Sequence, residues 1–554
     1  MAHPLFDKHR ATLDGALAAI AQRGYWSAYP EQPSPKIYGE GAQEAGKAAA
    51  LAHTNARFDL KQPGTTRWLA GEQSPFGVEL NVQYPVCDPQ ALIDAGLAAM
   101  PAWQALGAEG RTGVCLEALA RINRASFEIA HAVMLTTGQG WMMAFQAGGP
   151  HAQDRGLEAV AYAWREMSFV PASSRWEKPQ GKNPPIVMEK RYEIVGRGVA
   201  LVIGCGTFPT WNTYPGLFAA LATGNAVIVK PHPNAILPAA ISVRIIREVL
   251  AENGIDPNLV TLAVTDDPAV TQALATNPAV KSVDFTGSNA FGRWLAEHAR
   301  QAQVYAELAG VNIVVIESTD QYKAMLRNLA FTLSLYSGQM CTTTQDIFVP
   351  AAGIDTDEGH KSFDQVAADI GQAVERFLAD PAVATAVLGA IQSPDTLKRI
   401  ADAPALADVV LASRSIDNAE YPKAAVHTPL LLKTTAANEA AYLQERFGPI
   451  SFVVAVPDAA AAVALAERSV KQHGALTVGL YTTKPDVIDA MTAATLRAGV
   501  SLSINLTGNV YVNQSAAYSD YHATGANPAA TASYADSAFV ANRFRVVQRR
   551  WHAA

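Results

Sequence analysis

Nothing in this sequence is suited to crossing a membrane or to being stapled by metal or disulfides. No run reaches the ~18 uninterrupted apolar residues of a membrane span. Cysteine is scarce, at four positions in 554 residues (Cys87, Cys115, Cys205, Cys341), none in a CxxC pair. That pattern excludes a structural zinc site and a dithiol redox motif, and it fits a reducing compartment, so a cytoplasmic protein is expected. The twelve histidines form no HxH or HxxxH pair. No metal site is therefore expected, and His232 and His473 read as surface or capping residues. A signal peptide is not expected either, because Asp7, Lys8, His9, Arg10 and Asp14 interrupt the first apolar stretch. Basic surplus is missing too: 43 Lys and Arg stand against 50 Asp and Glu, a formal charge of -7 that leaves no footprint for nucleic acid.

What is present is apolar bulk. Hydrophobic residues make up 49% of the chain and charged residues 17%, enough for several large cores, and roughly 150 residues per domain suggests about three or four units. Residues 1–75 read as an appended, surface-packed extension, with helices at 5–22 and 41–53 around the Pro/Tyr-rich "YWSAYPEQPSPKIYGE" of 25–40. Its aromatics Tyr25, Trp26, Tyr29 and Tyr38 are expected to fix it to the body. A helical stretch follows over 88–165, and from 178 to 204 the pattern turns extended. Strand candidates at 198–204, 226–230, 259–264 and 282–286 alternate with helices, which predicts a parallel, doubly wound sheet. A second alternation carries strand candidates at 312–316, 347–349 and 452–456, and the tail at 539–550 reads as a strand, for intersubunit pairing or an ordinary sheet edge.

A dinucleotide grip is not announced by GxGxxG, since Gly196 and Gly204 each open near misses. The turn Gly287-Ser288, between a strand and a helix start, could face a pyrophosphate. Lys230 ends the second strand, where an adenosine ribose would lie. Pro231, His232 and Pro233 follow it, with no carboxylate to repel a 2′-phosphate, a lean toward NADP over NAD.

Cys341 lies in "SLYSGQMCTTTQ" and Glu307 ends an apolar strand in "VYAELAG", 34 residues earlier. A carboxylate there must be solvated, paired or raised in pKa. A glutamate titrating near neutrality beside a cysteine thiolate would be a base and nucleophile pair.

Four stretches in order, "FTGS" (285–288), "ELAG" (307–310), "GQMC" (338–341) and "ERFGPI" (445–450), resemble motifs of the aldehyde dehydrogenase superfamily from about residue 85 onward. The preamble resembles the phenylacetic acid degradation subgroup called PaaN. The resemblance implies two doubly wound α/β domains plus a small oligomerisation β-flap. Its parts would be a dinucleotide-binding domain at 76–183 and 197–308, a catalytic domain at 309–510, and bridging segments at 184–196 and 511–554. It implies NADP or NAD as acceptor and a homodimer or homotetramer. Cys341 would be the nucleophile and Glu307 the base that activates water. Lys230, Gly287, Ser288, Glu445 and Phe447 would bind the cofactor. The substrate implied is an aldehyde, plausibly a CoA-linked aliphatic semialdehyde of phenylacetate catabolism. No stretch is left for a hydratase domain, so a ring-hydrolysis step is expected to fall to a partner protein.

The oxyanion hole departs from the family's Trp-Asn-Phe-Pro. Counting back from Lys230 without gaps puts Thr207 in the asparagine's place, while Asn212 falls five residues on, inside the expected following helix. Thr207 is favoured, with Asn212 the other candidate. A poor oxyanion hole would suit the alternatives: a low-activity pseudoenzyme, a scaffold subunit of a degradative complex, or a cofactor-independent (thio)ester hydrolase.

Overall fold

The computed structural model describes residues 3–508, 517–534 and 536–553. Its first sheet is made of the strands Val199–Ile203, Ala226–Lys230, Val260–Leu262, Val280–Gly287 and Gln303–Leu308, all parallel. Their spatial order is third, second, first, fourth, fifth. The first two are buried at every position, which is why they are continuously apolar instead of alternating. The order reverses between the first and fourth strands, and a crevice opens at the carboxyl ends of that pair.

The second sheet has seven strands, in the order Asp408–Leu411, Leu430–Thr435, Ile450–Val456, Thr344–Pro350, Asn312–Ile316, Thr477–Tyr481, Ser501–Ile504. All pair in parallel except the first, an antiparallel edge. A separate three-stranded antiparallel sheet joins Phe544–His552 to Asn183–Gly196 and Ser173–Gln180. Two doubly wound units with a β-flap are therefore present as expected.

Several boundaries differ. The flap begins at Ser173, inside the stretch assigned from sequence to the dinucleotide domain, because the turn at 181–182 folds Ser173–Gln180 back on its neighbour. The tail is not one strand from 539. Asp536 accepts a hydrogen bond from the Phe539 amide at 2.9 Å and caps a short helix, Ser537–Ala541, before Phe544–His552 runs. That strand pairs within its own chain. The expected break at 510/511 lies outside the described residues.

The extension is not a surface addition. Phe6, Leu13, Ala16, Ile20 and Tyr29 join the largest core cluster. The helix Gly107–Arg124 meets it so closely that a Cβ at Gly113 would lie 2.5 Å from the Phe6 amide nitrogen. Three of the four preamble aromatics fix it as expected: Tyr29 is buried, Tyr38 packs on Phe127 and Phe145, and Trp26 meets Tyr518 edge to face at 5.0 Å, whereas Tyr25 is 76% exposed. Trp26 thus reaches an arm, residues 517–534, that returns along the edge of the first sheet. There the Leu308 amide donates to Ala529 O at 2.7 Å and the Thr531 amide to Ala306 O at 2.8 Å.

Candidate active site

The crevice at the switch point is a cavity of about 590 Å³. Cys341, Glu307, Thr207, Asn212, Lys230, Gly287, Ser288, Glu445 and Phe447, the nine residues singled out from sequence, all line it. They come from the carboxyl ends of four strands of the first sheet, or the loops just after them, and from two turns of the second.

Cys341 is set by a strained turn. Tyr336, Ser337 and Gly338 carry φ values of 54°, 48° and 64°, a left-handed run that non-glycine residues adopt only when held. The holding is visible: Tyr336 OH donates to Thr137 O, and Ser337 Oγ donates to Gly389 O at 3.0 Å and His427 O at 2.8 Å. At Gly338 a Cβ would lie 2.5 Å from Gly448 O, so no side chain fits. Just past the turn, Asn312 Nδ2 donates to Cys341 O at 2.7 Å and Thr343 O at 3.1 Å, while its Oδ1 accepts the amides of Leu476 and Thr477. The asparagine ties the Cys341 turn to two strands of the second sheet.

Glu307 is 1% exposed at the end of its strand. Its Oε1 lies 3.1 Å from His522 Nε2, its Oε2 has no hydrogen-bond partner, and Cys341 Sγ lies 3.9 Å from that same Nε2. The three polar tips fall within 4.8 Å of one another. Burial alone would push the Glu307 carboxyl up, but the attraction and hydrogen bond of His522, with the Cys341 thiol and the Asn212 amide facing it, outweigh that and hold it below the usual range. Burial, then the Glu307 charge, drives the Cys341 thiol well above its ordinary value. The sequence-based expectation of a near-neutral glutamate beside a thiolate is therefore reversed: the resting pair is a carboxylate and a thiol. The partner that reverses it, His522, was not singled out from sequence. It stands 181 residues from Cys341 and 215 from Glu307, and no local spacing marks it.

Asn212 is not inside a helix. The chain makes an additional turn, with the Asn212 amide bonded to Phe208 O at 3.1 Å and Thr213 to Thr210 O at 3.1 Å, before the helix Tyr214–Ala222 starts. This turn leaves Asn212 at the mouth of the site. Its Oδ1 accepts from Cys205 Sγ at 3.4 Å, and its buried Nδ2 has no partner within hydrogen-bond range. Thr207 also faces the cavity, with its carbonyl held by Gln139 Nε2 at 2.7 Å.

The rest of the cavity lining can hold an anion and hydroxyl groups. Lys230 is buried, pushed down to about 8 by desolvation, with no hydrogen bond or ion pair among the described residues. Ser288 caps the helix Asn289–His298 by accepting the Phe291 amide at 3.4 Å, so the positive end of that helix stands where Gly287, Ser288 and Phe291 line the same space. Burial lifts Glu445 to about 7, against the pull of Arg399. His232, expected as a surface or capping residue, accepts the Asn234 amide on Nδ1 at 3.2 Å, yet it also lines the cavity with Lys230 and is lowered to about 4, by burial first and by Lys230 second. Asp266 and Asp267 line it as well, brought by the loop that follows Val260–Leu262. These carboxylates lie in a different loop from Pro231, His232 and Pro233, the residues that follow Lys230.

Residues 85–535 match the profile of the aldehyde dehydrogenase family. The crystal structure of an NAD-dependent aldehyde dehydrogenase from Burkholderia multivorans is similar over 100% of both chains, at 57% identity and a TM-score of 0.99. A vanillin dehydrogenase of Pseudomonas fluorescens is 27% identical over 380 residues, 66% of this chain and 72% of that one. Others among the first curated relatives are matched over about half of their own length, 47% for a 1-pyrroline-5-carboxylate dehydrogenase of Bacillus subtilis. A Thermus thermophilus 1-pyrroline-5-carboxylate dehydrogenase structure shares the fold at a TM-score of 0.73 and 17% identity. No helix among the described residues is long and apolar enough to cross a membrane.

Proposed function

For a chain that belongs to the aldehyde dehydrogenase family, we propose oxidation of an aldehyde to a carboxylate with a nicotinamide dinucleotide as acceptor. The observation that carries this reading is the convergence of Cys341, Glu307 and the unpartnered Asn212 amide in one cavity that Lys230, Ser288 and Glu445 also line. Lys230 and the helix end capped by Ser288 would hold phosphate and ribose oxygens, and Glu445, beside Phe447, a ribose hydroxyl. A dinucleotide held there would supply the hydride acceptor for the carbon attached to Cys341.

The remaining steps belong to the chain. Cys341 Sγ attacks the carbonyl carbon while the thiol proton passes to the free Oε2 of Glu307. The oxygen that gains charge is stabilised by Asn212 Nδ2 and the Cys341 amide, a pair of donors fixed before the reaction begins. Once the carbon is oxidised, a thioester remains on Cys341. Glu307, having lost its proton through the cavity to solvent, then takes one from the water that releases the acid. With Asn212 lining the cavity and its buried Nδ2 unpartnered, we assign the oxyanion donor to it in place of Thr207, which weakens the pseudoenzyme alternative.

As acceptor we favour NAD over the NADP suggested by the residues after Lys230, because Asp266 and Asp267 bring negative charge to the same cavity and the Burkholderia relative is described as NAD-dependent. A CoA-linked aliphatic semialdehyde, suggested by the preamble's resemblance, is the first substrate to try. A homo-oligomer through the flap is consistent with its exposed Trp176, Val547 and Trp551. The test is reduced-nicotinamide absorbance with each dinucleotide and a series of aliphatic aldehydes, free and CoA-linked. Turnover that disappears in Cys341→Ala is expected. A chain that binds dinucleotide but oxidises no aldehyde would overturn the proposal.

A further inference from the structure

The wall behind the reacting pair is made by the arm. His522 is 5% exposed, seated edge to face on Trp211 at 4.5 Å, with Arg155 5.5 Å over the other ring. The segment carrying it is pinned on both sides: Arg23 donates to Tyr518 O at 3.3 Å and to Tyr521 OH at 2.6 Å, and the Tyr518 amide donates to Glu158 Oε1 at 3.0 Å. The ring is therefore fixed with Nε2 toward Glu307 and Cys341, while Nδ1 has no hydrogen-bond partner. A carboxylate oxygen 3.1 Å away assigns the proton to Nε2.

We propose that His522 is a positioning residue of the site, whose single Nε2–H is shared between Glu307 Oε1 and Cys341 Sγ and follows the negative charge from one to the other. Before attack the charge is on Glu307, and the N–H holds Oε1, leaving Oε2 free as the base. During attack the S–H bond breaks, its proton moves to Oε2, and sulfur's electron pair forms the bond to carbon. Glu307 then becomes neutral, and the same N–H, held between the two, serves the sulfur, which carries charge until that bond is complete. The other ionisable groups acting on this pair are Cys205, Glu445 and Tyr534, and each acts only through a charge that opposes a second negative charge there. The donor has no duplicate in that set.

This inference rests on the dehydrogenase reading only for the identity of the electrophile, so its test reads the sulfur directly. Alkylation of Cys341 by iodoacetamide, followed by peptide mass mapping with Cys205 as internal control, is compared in the wild-type chain, His522→Phe and His522→Gln. Phe keeps the ring against Trp211 and removes the donor, whereas Gln restores an N–H2 near the Nε2 position. The expected result is a loss of about tenfold or more in Cys341 alkylation for Phe, with most of it regained in Gln. Equal rates in all three chains, or a Gln variant no faster than Phe, would overturn the proposal. Should Phe fail to fold, His522→Ala and Glu307→Gln, made singly and combined, give a second test: the shared donor predicts a combined loss well short of the product of the single losses, and a full product overturns it. A wild-type chain that oxidises no aldehyde, yet loses alkylation in His522→Phe and regains it in Gln, overturns the dehydrogenase reading and leaves this inference standing.

Discussion

The two sides of the Glu307 and Cys341 pair are assembled by opposite means. The cavity side is built from short stretches at strand ends: Gly287-Ser288 after one strand, Lys230 after another, Glu445 and Phe447 from one turn. Each stretch brings its chemistry with it, because the end of a parallel strand fixes where the next few residues point. The arm side is built from Arg23, Arg155, Trp211, Tyr518 and His522, residues with no motif in common that meet only when the extension and the arm close on the body. One side is local geometry repeated; the other is tertiary contact made once.

The sharpest test of this contrast lies at the one cavity-side feature that local reading misplaced. If the additional turn at 208–213 delivers the oxyanion donor, Asn212→Ala should lower kcat by about 10²–10³, the usual cost of a lost oxyanion donor. Thr207→Val should change it by less than about tenfold, since the Thr207 contact to Gln139 is made by its carbonyl, which valine keeps. Steady-state rates at saturating dinucleotide decide it. The reverse order of effects would return the role to Thr207 and leave Asn212 as a partner of Cys205.

A smaller effect is expected elsewhere in the cavity lining. Burial lowers Lys230 to about 8, so its charge is present below that pH and lost above it. The KM for dinucleotide should therefore rise as pH passes through about 8, by around tenfold. In Lys230→Met it should be high and flat across the same range. The sign for stability is opposite: a lysine depressed in the folded chain disfavours folding below about 8, and that penalty fades toward the unfolded value near 10.4, so stability from this group rises with pH. A KM profile that falls above pH 8 would remove Lys230 from anion binding.

The sheets were legible in the sequence because their strands are buried on both faces and read as unbroken apolar runs such as "AVIVK" and "NIVVI". The cavity side was legible for the same reason, at one remove: its residues lie within a few positions of those runs. Two things were not. The helix after Ile203 starts only at Tyr214, because "FPTWN" makes a turn of its own, and gapless counting cannot detect a turn inserted into a loop. His522 could not be found by spacing, since what makes it matter is the arm's path along the edge strand, fixed by Leu308, Ala306 and Thr531.

The arm side predicts the smallest effect and tests how tertiary that wall is. Trp26 packs against Gly15, where a Cβ would lie 2.7 Å from the indole, and against the Tyr518 ring at 5.0 Å. Trp26→Ala removes a half-buried ring from both partners, a loss of about 2–3 kcal/mol that falls first on the contact and not on the sheets. Hydrogen exchange should show it: amides of 517–522 exchange about tenfold faster than in the wild type, while those of Val199–Ile203 stay unchanged. Activity should fall only a few-fold, because Arg23 still holds Tyr518 and Tyr521 through its guanidinium. Faster exchange at both places would mean that the extension supports the whole body, as its share of the main core allows. Faster exchange at neither would mean that Glu158 and Arg23 hold the arm without the indole, and that the wall behind Cys341 depends on polar contacts alone.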